Sequence, residues 1–281
     1  MELFLRAILI GLLQGLTEFI PVSSSAHLEL APWIAGWESD ALLGSLTFDV
    51  FLHLGTLLAL LAYFARDWIR LIGAGLASIR ERRIGDDPDR RLAWLLIMAT
   101  LPAAAIGFGG EDLIDRVLHG DSDAVRLAIA GFLVVGAAAL WLADRLGSKQ
   151  RDLGDLSAPG AVSIGFSQAL ALLPGISRSG ATISAGLALG LNREAAARFS
   201  FLLATPITLG AGLYGSRKLL DASLGTNEWV ALVGGFVAAT LSGMLAIGFL
   251  LAWLRHRSVA VFSLYRLAFA ALIVILVIAG R

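Results

Sequence analysis

Six stretches of this chain are each apolar for close to the length a helix needs to cross a bilayer, about 20 residues. They run over 43–64, 92–109, 124–143, 195–214, 228–253 and 258–280. A chain with that pattern has few folds open to it, because each stretch must satisfy its own backbone hydrogen bonds inside lipid. Composition agrees: 57% of the 281 residues are hydrophobic, 16% are charged, and the mean hydropathy is +0.79. The bilayer is therefore the expected solvent. The formal net charge of +0 implies no electrostatic pull toward nucleic acid, and the absence of cysteine excludes disulfides and thiolate-held zinc. Met1-Glu2-Leu3 has no basic segment before the first apolar stretch, which is read as mature structure rather than a signal peptide.

Two further apolar regions are broken near their middle. The first, 1–36, is interrupted at Pro21-Val22-Ser23-Ser24-Ser25, and the second, 158–191, at Pro174-Gly175-Ile176-Ser177-Arg178-Ser179-Gly180. The arms after the breaks, 26–36 and 181–191, are about half a span long. A polar break at membrane depth is tolerable only where it packs in protein or lines a wet cavity, so each region is expected to be a re-entrant hairpin.

Fourteen Lys and Arg fall on one side of the spans, seven of them in a 65–91 loop, and five (Arg116, Arg126, Arg217, Lys218, Arg281) on the other. The positive-inside rule then puts the 65–91 loop in the cytoplasm and an acidic 110–123 loop outside. The halves also echo each other. Ile10-Gly11-Leu12-Leu13-Gln14 resembles Ile164-Gly165-Phe166-Ser167-Gln168, and Phe48-Asp49-Val50-Phe51 resembles Phe199-Ser200-Phe201-Leu202. Three spans per half is an odd number, so the second half is inverted. The expected fold is an all-α integral membrane domain over 1–281. Repeat one covers 1–144, a cytoplasmic linker 145–157, and repeat two 158–281. Each repeat is one re-entrant hairpin plus three transmembrane helices, making six full spans and four half-helices. Gly131, Gly136, Gly234 and Gly235 allow tight helix packing, internal or between copies.

The breaks concentrate the chemistry. Gln14 and Glu18, four apart, share a helix face and offer oxygen ligands that suit a hard cation such as Mg²⁺ or Ca²⁺. Ser23, Ser24 and Ser25 open a half-helix, and His27, three residues beyond Ser24, makes the minimal activated-nucleophile pair; capping of the helix is the alternative use of these serines. Arg178 sits among Ser177, Ser179, Gly180 and Thr182 at a second half-helix start, a combination suited to phosphate. Asp49, His53 and Glu29 are read as supporting groups or as facing water, and Arg266 lies in the last span with no evident partner. The set suits phosphoryl transfer on a substrate that is itself partly in lipid.

Gln-Gly-Leu-Thr-Glu-Phe-Ile-Pro-Val-Ser-Ser-Ser-Ala-His at 14–27 and Leu-Pro-Gly-Ile-Ser-Arg-Ser-Gly-Ala-Thr at 173–182 resemble the two signature motifs of bacterial undecaprenyl-diphosphatases of the bacitracin-resistance type. The likeness extends over essentially the whole chain. It implies hydrolysis of undecaprenyl diphosphate to undecaprenyl phosphate and phosphate, which recycles the lipid carrier of peptidoglycan synthesis and confers bacitracin resistance. It also implies a bacterial inner-membrane protein, often a homodimer, with a divalent-cation-dependent site open to the periplasm. Carried onto this chain, Glu18 and Gln14 hold the metal or orient water, Ser24 is the nucleophile and His27 its proton-transfer partner. Arg178, Ser177, Ser179, Gly180 and Thr182, with Ser23 and Ser25, bind the diphosphate. Gln14 stands at the motif's Glu/Gln position and is a weaker, neutral ligand there. Two other functions compete. A polyprenyl-phosphate transporter or flippase shares the inverted-repeat habit but has no need of the Ser–His–Glu set. An intramembrane serine protease has no use for Arg178, Gln14 or Glu18.

Overall fold

The computed structural model describes the backbone of every residue except 39, 119, 121, 220–223 and 281, and side chains except those of these residues and of 110–118 and 216–219. Among the described residues the fold is helical, with one isolated bridge between Arg151 and Leu191. Six helices are long and apolar enough to span a bilayer: α3 (Leu46–Tyr63), α5 (Pro88–Leu118), α6 (Asp123–Leu146), α9 (Arg193–Leu219), α10 (Thr226–His256) and α11 (Ala260–Ile278). The chain is a multi-pass membrane protein. The remaining described α-helices are α1 (Glu2–Phe19), α2 (Ser24–Ala35), α4 (Ala65–Glu81), α7 (Ala158–Ala169) and α8 (Arg178–Ala188), with short 3-10 turns at Leu153–Asp155 and Leu170–Leu172.

The two breaks fall between α1 and α2 and between α7 and α8, and proline causes both. The residue before a proline is pushed from the helical into the extended region. Ile20, before Pro21, has ψ 133°, and Leu173, before Pro174, has ψ 116°. Each following helix restarts from a serine in a left-handed conformation: Ser23 at φ 77° caps α2 and Ser177 at φ 71° caps α8. That region is unfavourable for any residue with a Cβ, so both turns are held by their surroundings.

Small residues let the broken regions lie against full spans. α1 runs along α10 and α7 along α5. A methyl group on Gly11 would come within 2.3 Å of the Gly235 carbonyl oxygen, and one on Gly165 within 2.2 Å of the Ala99 carbonyl oxygen. Close backbone approach of this kind supplies much of the packing energy where lipid removes the hydrophobic drive. Gly234 and Gly235 face Phe4 and the Ala7 carbonyl, and Gly136 faces the Arg266 guanidinium, so these three pack internally. Gly131 has no neighbour within 4 Å. A buried cluster joins the two halves, with Phe19 and Phe201 meeting edge to face at 5.6 Å between ring centres.

Two connections differ from expectation. The 65–91 segment is not simply a loop, because its first part forms the amphipathic helix α4. Ile69, Ile72, Leu76 and Ile79 recur at helical spacing and are exposed; the density of arginine hides that period in a hydropathy reading. Arg90 then bonds Glu81 at 2.7 Å across the turn into α5 and holds that carboxyl below its ordinary range. The expected 110–123 loop is shorter, since the α5 backbone stays helical to Leu118. The acidic side chains expected there, Glu111, Asp112, Asp115 and Asp121, lie outside the described residues, as do the side chains of Arg116, Arg217, Lys218 and Arg281. Segment 145–157 is tied to the end of α8 by backbone bonds from Arg151 to Gly190 and from Asn192 to Arg151.

Candidate active site

Glu18, at the end of α1, is the centre of a polar cluster between the breaks. It is 8% exposed. Its Oε1 pairs with Arg178 Nη2 from the start of α8. Its Oε2 accepts from Ser24 Oγ at 2.5 Å and from Gln14 Nε2 at 3.1 Å, and His53 Nε2 of α3 lies 4.0 Å away. Arg178 is held from its far side by Nη1 donating to Thr208 Oγ1 at 2.6 Å. A buried ion pair of this kind is tolerable in lipid because the charges cancel and further hydrogen bonds satisfy both groups.

Two more bonds cross between the breaks. The Gly175 N–H donates to Ser25 Oγ at 3.4 Å, and Ser179 Oγ donates to the Ile20 carbonyl at 3.5 Å. Ser25 also meets Ser23 at 3.1 Å. On the α8 side, Ser177 Oγ accepts from the Gly180 N–H at 3.1 Å and meets Ser179 Oγ at 3.2 Å, while Thr182 bonds the Arg178 carbonyl and Ser200. The opening residues of α2 and α8 therefore stand together with Glu18 and Arg178. Helix starts carry a positive dipole end and free N–H groups, which suit an anion.

One expected pair is not formed: His27 does not engage Ser24. Its Nδ1–H donates to the Ser23 carbonyl at 2.7 Å, which leaves Nε2 to accept the Tyr265 hydroxyl, also at 2.7 Å. The ring stacks on Phe269 with 4.3 Å between ring centres, lies near-parallel to the Tyr265 ring at 5.7 Å, and is 4% exposed. The backbone carbonyl one turn earlier captures the histidine, and Ser24 points instead to Glu18. Thr208 and Tyr265 were not expected at the site. Thr208 is one of several hydroxyl residues on α9, Ser200 and Thr205 among them, and nothing in the sequence sets it apart; for Tyr265 no sequence signal distinguishes it from an ordinary interfacial tyrosine.

The cluster also bears on a divalent cation. Gln14 Oε1 is buried without a hydrogen-bond partner, beside the Glu18 carboxylate on the same helix face. Among the described residues no group of three or more His, Asp or Glu converges to hold a metal. Both Glu18 oxygens are taken and Gln14 Nε2 faces them, so Gln14 Oε1 is the oxygen left without a partner and a cation held here would take most of its ligands from substrate phosphate and water.

The bacitracin resistance protein BacA family model matches residues 7–272. A protein named undecaprenyl-diphosphatase from Thermomicrobium roseum is 43% identical over 278 residues, 98% of this chain and 99% of its own. Proteins of the same name from Moorella thermoacetica and Pelobacter propionicus are 45% identical over 270 residues (96% of each chain) and 42% identical over 276 residues (98% of each chain).

Proposed function

The chain belongs to the bacitracin resistance protein BacA family, and from that premise and the geometry around Glu18 we propose that it is a hydrolase that removes the terminal phosphate of undecaprenyl diphosphate. The products are undecaprenyl phosphate and inorganic phosphate. The observation that carries this reading is Ser24 Oγ donating to a carboxylate that also pairs with Arg178. Those contacts join a nucleophile, a proton acceptor and an oxyanion clamp.

In the proposed reaction the diphosphate lies between the starts of α2 and α8. Arg178, steadied by Thr208, grips phosphate oxygens, with Ser177, Ser179, Gly180, Thr182, Ser23 and Ser25 around them. Ser24 Oγ attacks the terminal phosphorus and its proton passes to Glu18. The bond from phosphorus to the bridging oxygen breaks, and undecaprenyl phosphate leaves with the electron pair. Water then hydrolyses the phosphoserine, releasing phosphate and restoring Ser24. His27 has a positioning part in this scheme through its bond to the Ser23 carbonyl. A divalent cation held by Gln14 and Glu18 would neutralise developing phosphate charge.

The same reading includes the architecture: inverted repeats over 1–144 and 158–281 joined by a cytoplasmic linker, re-entrant hairpins at the breaks, and a site open to the periplasm from the bacterial inner membrane. Its support is the paired detail of extended residues before Pro21 and Pro174, left-handed caps at Ser23 and Ser177, and matching contacts of Gly11 and Gly165. Such an enzyme would return the lipid carrier to peptidoglycan synthesis and confer bacitracin resistance. The test is phosphate release from a polyprenyl diphosphate by purified protein, with Mg²⁺ or Ca²⁺ and with a chelator. Release that the chelator abolishes supports the reading. Absence of release with either cation, together with movement of polyprenyl phosphate across vesicles, overturns it in favour of transport.

A further inference from the structure

Each of the two breaks is held by a residue of α11, and the two residues are neighbours. Tyr265 bonds His27, and His27 bonds the Ser23 carbonyl, so the turn just before Ser24 is fixed through a chain of two 2.7 Å contacts. Arg266 is fully buried, and its Nη2 donates to the carbonyls of Gly175 at 2.7 Å and Ile176 at 2.9 Å, just before Ser177 and Arg178. Its Nε reaches the Leu133 carbonyl of α6 at 3.3 Å. Among the described residues no carboxylate pairs with it. Room for the guanidinium comes from Gly136, where a methyl group would fall 1.9 Å from Nη2.

We propose that Tyr265 and Arg266 are positioning residues that act as one clasp, setting the register of Ser24 and Glu18 against Arg178. The proposal rests on the phosphatase reading for its catalytic consequence. Successive helix residues point about 100° apart, so one short segment of α11 can reach both breaks at once. Ser23 and Ser177 each hold a left-handed φ, a conformation that persists only when neighbouring contacts over-determine it. The carbonyls bonded by the clasp are those of Ser23 itself and of the two residues leading into Ser177. Buried hydrogen-bonded groups of this sort carry coupling between sites they do not touch.

The experiment compares wild type, Tyr265→Phe, Arg266→Lys and the double variant in two measurements. In phosphate release, Tyr265→Phe keeps the stacked ring and loses only the hydroxyl; it should lower kcat about tenfold with KM within about threefold. Arg266→Lys keeps a charge but loses the fork and should lower kcat about a hundredfold, the scale expected when reacting groups are misplaced by about 1 Å. The double variant should be little worse than Arg266→Lys, because loss of the Arg266 anchor already frees the register. In hydrogen exchange of the detergent-solubilised protein, Tyr265→Phe should speed exchange in 174–180 as well as in 22–27, although Tyr265 touches only the latter region through His27. A merely local structural role would confine the change to 22–27 and give effects on kcat that multiply. Either of those results overturns the clasp. If wild type releases no phosphate, the phosphatase reading fails, and the exchange measurement still decides the clasp.

Discussion

Replacing Glu18 by glutamine keeps the length and volume of the side chain and removes only its charge and its ability to take a proton. Its Oε1 can still accept from Arg178, but the group facing Ser24 Oγ, now 2.5 Å from a carboxylate oxygen, becomes an amide that cannot serve as base. A positioned base is worth about 10²–10⁴-fold, and at about 1.36 kcal/mol per decade that is about 3–5 kcal/mol of barrier. Removing one partner of a buried ion pair costs about 3–5 kcal/mol of stability when the other is stranded. Here Arg178 keeps Thr208 and is 18% exposed, so the loss should be smaller and the thermal midpoint should fall by only a few degrees. The assay is kcat for phosphate release per folded molecule. A Glu18→Gln protein that folds normally and keeps more than about a fifth of wild-type kcat would refute the assignment of Glu18 as proton acceptor.

Three further outcomes follow from the same geometry. Rapid quenching of wild type with substrate labelled in its terminal phosphate should leave label on Ser24, and Ser24→Ala should abolish both labelling and turnover; turnover without label would remove the covalent step. Arg178→Lys keeps the charge but cannot hold Thr208 and phosphate with one planar fork, so KM should rise about tenfold or more in steady-state assays. Gly165→Ala should lower the thermal midpoint sharply because the new methyl meets the Ala99 carbonyl at 2.2 Å, whereas Gly131→Ala, with no neighbour within 4 Å, should be neutral or slightly stabilising.

The spans were legible because apolar length is a property of sequence alone, and the breaks because Pro21 and Pro174 act on the residue before them whatever surrounds them. The meeting of Glu18 with Arg178 could be anticipated only by supposing that the two halves are repeats whose breaks face each other. What escaped was tertiary. His27 is three residues from Ser24, yet a backbone carbonyl and a ring from α11, 238 positions away, claim both its nitrogens. Arg266 looked partnerless because its partners are carbonyls, which every residue carries and no side-chain pattern can flag. Helix α4 was concealed by its own arginines, which dominate an averaged hydropathy while leaving the period of Ile69, Ile72, Leu76 and Ile79 intact.

The ion pair between Glu18 and Arg178 has a consequence for turnover. With no phosphate bound, the guanidinium already holds an oxyanion, and that oxyanion belongs to the protein. In the proposed cycle substrate does not enter a vacant clamp; it displaces a tethered competitor whose effective concentration never changes. The same competition acts on the product. Once the terminal phosphate is free and has lost the lipid that anchored it, Glu18 needs no diffusion to reclaim Arg178, and the ion that must leave the buried site is driven off by the residue that helped to make it.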